Sequence, residues 1–103
     1  MIRRRRFADV VAAQLDLFAR EHAELIADCE AAERAYDRAP REEAEERYGD
    51  YVDLVETGTD YLAGLRDNYA STLAVEITVE YEQAFNRAVQ RRLPRFGLEI
   101  EES

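Results

Sequence analysis

The chain is poor in residues that interrupt helices or cross-link a fold, with two prolines, four glycines and one cysteine among 103 residues. So few turn formers disfavour an all-β fold, which needs frequent turns. The one cysteine, Cys29, cannot form a disulfide within the chain, which fits a reducing compartment. Lysine is absent, so all fourteen basic residues are arginines.

Long apolar runs are also lacking, so we expect no membrane insertion. Residues 1–6 are basic like the start of a secretory signal, but Asp9, Gln14 and Asp16 interrupt the apolar stretch that would have to follow. We therefore expect a cytoplasmic protein. With 47% hydrophobic and 36% charged residues, the composition is that of one folded domain over residues 1–103.

The charge is negative overall, at −9, and unevenly distributed. The acidic middle of the chain should repel nucleic acid, which disfavours a nucleic-acid partner. An alternative function remains, in which terminal arginines bind nucleic acid or another anionic surface. The candidate contacts are Arg3, Arg4, Arg5 and Arg6 at the start of the chain and Arg91 and Arg92 near its end.

Residues 7–38 are predicted to form the first helix. Apolar side chains recur there at alternating steps of three and four residues, which keeps one stripe facing a partner helix. The stripe consists of Phe7, Val11, Leu15, Phe18, His22, Leu25, Cys29, Ala32 and Tyr36.

His22 and Cys29 lie on this stripe seven residues apart. Two helical turns separate them by roughly 10 Å, which is too far for both to bind one metal from a single helix. We interpret both as packing residues and predict neither a metal nor a cofactor.

A turn at residues 39–40 should end the first helix. The ring of Pro40 disfavours helical geometry at Ala39 and suits the first position of the next helix. A connection this short makes the two helices antiparallel neighbours.

Residues 41–93 continue the helical spacing and allow one long second helix. Asp67, Asn68, Ser71 and Thr72 are residue types that end or start helices, so a break near 68–72 into a three-helix bundle is the alternative. The stripe of this segment consists of Ala44, Tyr48, Tyr51, Val55, Gly58, Leu62, Leu65, Tyr69, Leu73 and Ile77.

Residues 72–81 also fit a strand, because β-branched and other apolar residues alternate there with mostly polar ones. We favour a helix because no strong turn signal leads into Leu73. The predicted fold class is therefore all-α: a long antiparallel helical hairpin, coiled-coil-like, with or without the break.

Residues 53–57 (DLVET) and 62–73 (LAGLRDNYASTL) resemble the long stalk helix that precedes the membrane in CorA-type magnesium channels. The resemblance implies a long packed helix. The two transmembrane helices and the Gly-Met-Asn pore signature of that family are not found in this sequence, so the resemblance implies no transport activity.

Acidic residues of the second segment suggest two interpretations. Glu76 and Glu80 lie one helical turn apart, but the one histidine, His22, has no carboxylate three residues before it, which leaves a carboxylate-bridged metal site as a remote alternative. In an antiparallel hairpin Arg3 to Arg6 would instead approach Glu76, Glu80 and Glu82 and form surface ion pairs.

Residues 94–103 form a tail that begins with Pro94 and contains Gly97. Its apolar residues dock on a partner, or else the tail folds onto its own bundle or is frayed. They are Phe96, Leu98 and Ile100.

No phosphate-binding loop, nucleophile–base pair or metal-ligand spacing supports an enzyme. An amphipathic hairpin must cover its apolar face, and self-association is the simplest way. The sequence therefore predicts a non-enzymatic interaction or scaffold protein that forms a homo-oligomer or binds a protein partner through its stripes.

Overall fold

The computed structural model describes residues 6–103, and over this range the chain forms helices without any strand, which confirms the all-α prediction. Short 3-10 turns, Arg41–Glu43 and Pro94–Phe96, precede the third and fifth helices. The helices are α1 (Ala8–Glu21), α2 (Ala23–Arg38), α3 (Ala44–Ala70), α4 (Val75–Arg92) and α5 (Gly97–Glu102).

The predicted first helix is divided at His22, whose φ of −119° and ψ of 32° leave the helical region. The helical hydrogen bonds of the backbone nevertheless continue across His22. Its N–H donates to the Phe18 carbonyl at 2.9 Å, and its carbonyl accepts from the Ile26 N–H at 3.0 Å. The imidazole stacks on Tyr61 with ring centroids 4.1 Å apart. The division therefore changes the local backbone without ending the stripe.

α3 runs antiparallel to α1 and α2. Tyr36 packs on Tyr48 at one end and His22 on Tyr61 further along, so residue numbers rise on one side as they fall on the other. Ala39 and Pro40 are both extended, with ψ of 138° and 162°, and they reverse the chain as the short connection requires.

α3 ends at Ala70, so one continuous helix to residue 93 is not formed and the predicted break near 68–72 is present, although residues 6–103 form five helices and not three. The hydroxyls of Ser71 and Thr72 donate to the carbonyls of Asn68 and Tyr69, both at 2.7 Å, and thereby compete with the helical bonding pattern. Ala74 is extended with ψ of 143°. The strand alternative for 72–81 is wrong, because α4 begins at Val75.

α4 closes the core against α1 and α3. It runs parallel to α1, since Phe7 packs on Tyr81 and Asp16 bonds Arg92. α1, α3 and α4 supply most of one apolar interior, to which α2 adds Cys29 and the tail adds Phe96 and Ile100, so most of the stripe is covered within a single chain. The buried apolar residues are Phe7, Val11, Leu15, Phe18, Cys29, Val55, Leu62, Ala70, Tyr81, Phe85, Ala88, Val89, Phe96 and Ile100.

α4 has 18 residues and α3 has 27, so α4 is shorter by about 13 Å at a rise of about 1.5 Å per residue. The molecule is elongated, with extents of 51 × 23 × 23 Å. α4 therefore covers one end of the hairpin and leaves the other end as two helices alone.

The tail folds back onto the bundle. Phe96 and Ile100 are buried, whereas Leu98 is 77% exposed. Phe96 packs edge-on against Phe18 with centroids 5.8 Å apart. Of the three apolar tail residues, the docked tail therefore offers a partner only Leu98.

Tyr81 lies at the centre of the core, with no exposed surface, and its hydroxyl donates to the Gln14 side chain at 2.9 Å. Burial raises the pKa of Tyr81 to about 12, and the hydrogen bond with Gln14 opposes part of that rise. An unfolded tyrosine ionises near pH 10, so the unfolded chain releases this proton first as the pH rises.

Tyr81 therefore contributes stability that is fully present below about pH 10. We expect this contribution to the free energy of unfolding to fall by about 2 to 3 kcal/mol between about pH 10 and 12. Urea unfolding of the wild type and of Tyr81→Phe at several pH values measures this loss. The free energy of unfolding of Tyr81→Phe should decline less than that of the wild type between about pH 10 and 12. Parallel declines for the two proteins would contradict the assignment to Tyr81.

Candidate interaction surface

We call residues 34–50 the hairpin end. None of its residues is buried. Glu33 and Tyr51, which flank the hairpin end on α2 and α3, still contact the connection between α4 and α5. Arg95 of that connection donates to the Glu33 carboxylate at 2.7 Å and to the Tyr51 hydroxyl at 3.3 Å. Within residues 6–103, the ring contacts, side-chain hydrogen bonds and ion pairs of the hairpin end are made among its own residues.

Two tyrosines form the apolar surface of the hairpin end. Tyr36 and Tyr48 contact each other with ring centroids 5.3 Å apart, and they are 39% and 51% exposed. Both belong to the predicted stripe, at the positions that α4 does not reach. Exposed aromatic side chains on a projecting element are typical of protein–protein contacts.

The hairpin end is acidic on its α3 side. Arg47 neutralises Glu43 and Asp50, at 3.4 and 3.8 Å. Glu42, Glu45 and Glu46 are exposed and have no ion-pair partner among residues 6–103.

Gly49 lies on the same side of α3, and a Cβ added there would meet nothing within 4 Å. Packing inside the chain therefore does not require this glycine, which costs helix stability of up to about 1 kcal/mol relative to alanine.

A shallow groove separates α1 from α4 near the opposite end of the molecule. We call it the arginine groove. Arg92 donates to Asp16 at 2.6 Å and to the Ala12 carbonyl at 3.4 Å, while Arg87 and Arg91 are exposed and pair with no acid in the described part of the chain. The floor consists of Ala8, Val11, Ala12, Leu15, Ala84 and Ala88, and the rim of Arg87, Arg91 and Arg92.

The basic clusters predicted from the sequence are only partly available to an anionic partner. Arg6 pairs with Glu80 at 3.6 Å, both about 40% exposed, which is the register contact expected between the ends of the chain. An exposed pair of this kind contributes about 0 to 1 kcal/mol. Arg3, Arg4 and Arg5 lie outside the described residues, as do any contacts they make with Glu76 and Glu82.

Arg66 is a buried residue that the sequence analysis missed, at 5% exposure. Its guanidinium donates to the Asn86 side chain and to the Ile100 and Ser103 carbonyls, each at 3.0 Å, and to Asp67 at 2.8 Å. These bonds tie α5 to α3 and α4. The available signal was its spacing, since Arg66 lies four residues from both Leu62 and Ala70.

Other stripe residues support the fold. His22 contacts Phe18 and Tyr61, and burial raises the pKa of the Cys29 thiol. No three His, Cys, Asp or Glu side chains cluster as metal ligands between residues 6 and 103. Several stripe residues are partly buried against the core: Tyr51, Leu65, Tyr69, Leu73 and Ile77, with Leu25 at a similar exposure.

No protein-family model, curated protein or solved structure matches this chain. The similarity to the CorA stalk helix therefore stays a prediction. Within residues 6–103, every helix is too short or too polar to cross a bilayer.

Proposed function

We propose that this chain is a non-enzymatic interaction protein that self-associates through its hairpin end. One observation carries the proposal. The apolar stripe continues to Tyr36 and Tyr48 beyond the reach of α4, and no residue of the hairpin end is buried.

Two helices without a core gain little free energy from packing on each other. Short helices are marginal in water, and most helical stability in proteins comes from burying an apolar face. A second chain that covered the tyrosine pair would supply that burial. The hairpin end would then be ordered by association as well as by its own contacts.

Binding of an anionic surface is the second candidate, and the exposed Arg87 and Arg91 favour it. The net charge of −9 opposes it, and Arg6, Arg92 and Arg95 pair with acids of the same chain. A shift in the electrophoretic mobility of generic DNA or RNA that appears at low salt and is lost at high salt would support this second candidate.

A double substitution tests self-association. Tyr36→Ser with Tyr48→Ser should raise the dissociation constant at least about 30-fold, because a loss of about 2 kcal/mol from the aromatic pair at the centre of an interface corresponds to that factor. Sedimentation equilibrium over a concentration series measures this. Tyr61→Ser is the matched control, since Tyr61 is 50% exposed but lies outside the hairpin end.

The wild type should show an assembled mass of at least twice 11.9 kDa at concentrations where the double variant shows one chain. Equal association of the two proteins, or a wild type that stays at the mass of one chain throughout, would reject the proposal.

A further inference from the structure

We infer that the arginine groove receives the hairpin end of a second copy of this chain, so that two chains form a closed dimer. This inference rests on the proposed self-association and names the surface to which the hairpin end binds.

Charge complementarity between the arginine groove and the α3 side of the hairpin end favours a second copy of this chain as the occupant. Two chains of net charge −9 repel each other, and a contact that places basic surface of one against acidic surface of the other lowers that repulsion. Arg87 and Arg91 have no acidic partner among residues 6–103 of their own chain. Glu42, Glu45 and Glu46, likewise without a basic partner in that range, supply the matching charges.

Side-chain size fits the same pairing. The floor of the groove carries four alanines, so a helix can approach α1 and α4 closely. Gly49 lies beside the glutamates on α3, where a Cβ would meet nothing in its own chain. A glycine facing an alanine floor allows close backbone contact, which explains a residue that otherwise only weakens the helix.

The positions of the two surfaces allow the contact to close. The hairpin end and the arginine groove lie far apart along the molecule, because α4 meets α1 between the Phe7–Tyr81 and Asp16–Arg92 contacts, whereas Tyr36 lies 20 residues after Asp16. Two chains side by side and antiparallel would each place a hairpin end in the groove of the other. Such a twofold contact is complete with two chains and does not extend into a filament.

A charge exchange between the two surfaces tests this. The groove variant is Arg87→Glu with Arg91→Glu, and the hairpin variant is Glu42→Arg with Glu45→Arg and Glu46→Arg. Each alone should dimerise at least about 30-fold more weakly than wild type by sedimentation equilibrium. Mixed in equal amounts, they should form a heterodimer, because both contacts then pair opposite charges again.

Two matched controls separate the surface from general effects. Arg20→Glu changes one exposed arginine outside the groove and should leave the dissociation constant within about threefold, whereas Arg91→Glu should raise it about tenfold. Gly49→Leu should weaken association, and Gly64→Leu, at the other glycine of α3 with open space around it, should not. Circular dichroism confirms that each variant is helical.

The outcomes are distinct. A wild-type dimer that the groove variant forms equally well, or a mixture that stays unassociated, overturns this inference and leaves self-association standing. A wild type without any dimer overturns both proposals. Binding of generic RNA that the groove variant loses, without a change in dimerisation, would also overturn it by assigning the groove to an anionic polymer.

Discussion

Replacing Arg66 with methionine should lower the free energy of unfolding by about 2 to 4 kcal/mol. The substitution fills a similar volume but leaves the buried carbonyl of Ile100, the Ser103 carbonyl and the Asn86 side chain without the donor that each now has. α5 would lose its tie to α3 and α4. Chemical denaturation monitored by circular dichroism measures the change.

Two further variants define the cause. Arg66→Lys should lose most of the same stability, because one ammonium cannot reproduce the fixed fork of a guanidinium that donates to several acceptors. Arg20→Met, at an exposed arginine, should stay within about 0.5 kcal/mol of wild type. If Arg66→Met and Arg20→Met unfold at the same denaturant concentration, Arg66 does not hold the tail.

Whether Gly58→Ala raises or lowers the free energy of unfolding should depend on the residue at position 96. In the wild type the added Cβ would lie 2.9 Å from Cζ of Phe96, whose ring is buried, so overpacking should cost about 1 to 3 kcal/mol. With Phe96→Ala, which alone should cost about 3 to 5 kcal/mol, the obstruction is gone. Gly58→Ala should then stabilise by up to about 1 kcal/mol through helix propensity.

A double-mutant cycle of thermal or urea unfolding measures the coupling between the two positions. Gly64→Ala is the control, because nothing lies within 4 Å of its added Cβ and it should be mildly stabilising in both backgrounds. An effect of Gly58→Ala that is the same in the wild type and in the Phe96→Ala variant would show that Gly58 is not needed for close approach of the tail.

The helices and much of the core were predictable because they depend on local spacing. Steps of three and four residues from Phe7 to Phe18 predict one face of a helix, and that face is buried. The break after Ala70 remained an alternative, since the Ser71 and Thr72 hydroxyls can end a helix or bond within it.

Most contacts between distant parts of the chain were not predictable, although the antiparallel hairpin did predict the Arg6–Glu80 pair. Arg66 bonds Asn86 and Ile100, which lie 20 and 34 residues away, so its burial becomes visible only once α4 and α5 are in place. Likewise the stripe predicted Tyr36 and Tyr48 but not that they would be exposed. Which part of the stripe stays exposed depends on the length of α4.

Hydrogen exchange detected by mass spectrometry tests most directly whether the hairpin end is the contact surface. In dilute solution, where chains are separate, amides of residues 34–50 should exchange fast, and those around Leu62 and Phe85 in the core should exchange slowly. At high protein concentration exchange at 34–50 should slow at least about tenfold while the core stays unchanged. Equal rates at both concentrations, with assembly shown by mass, would contradict the account.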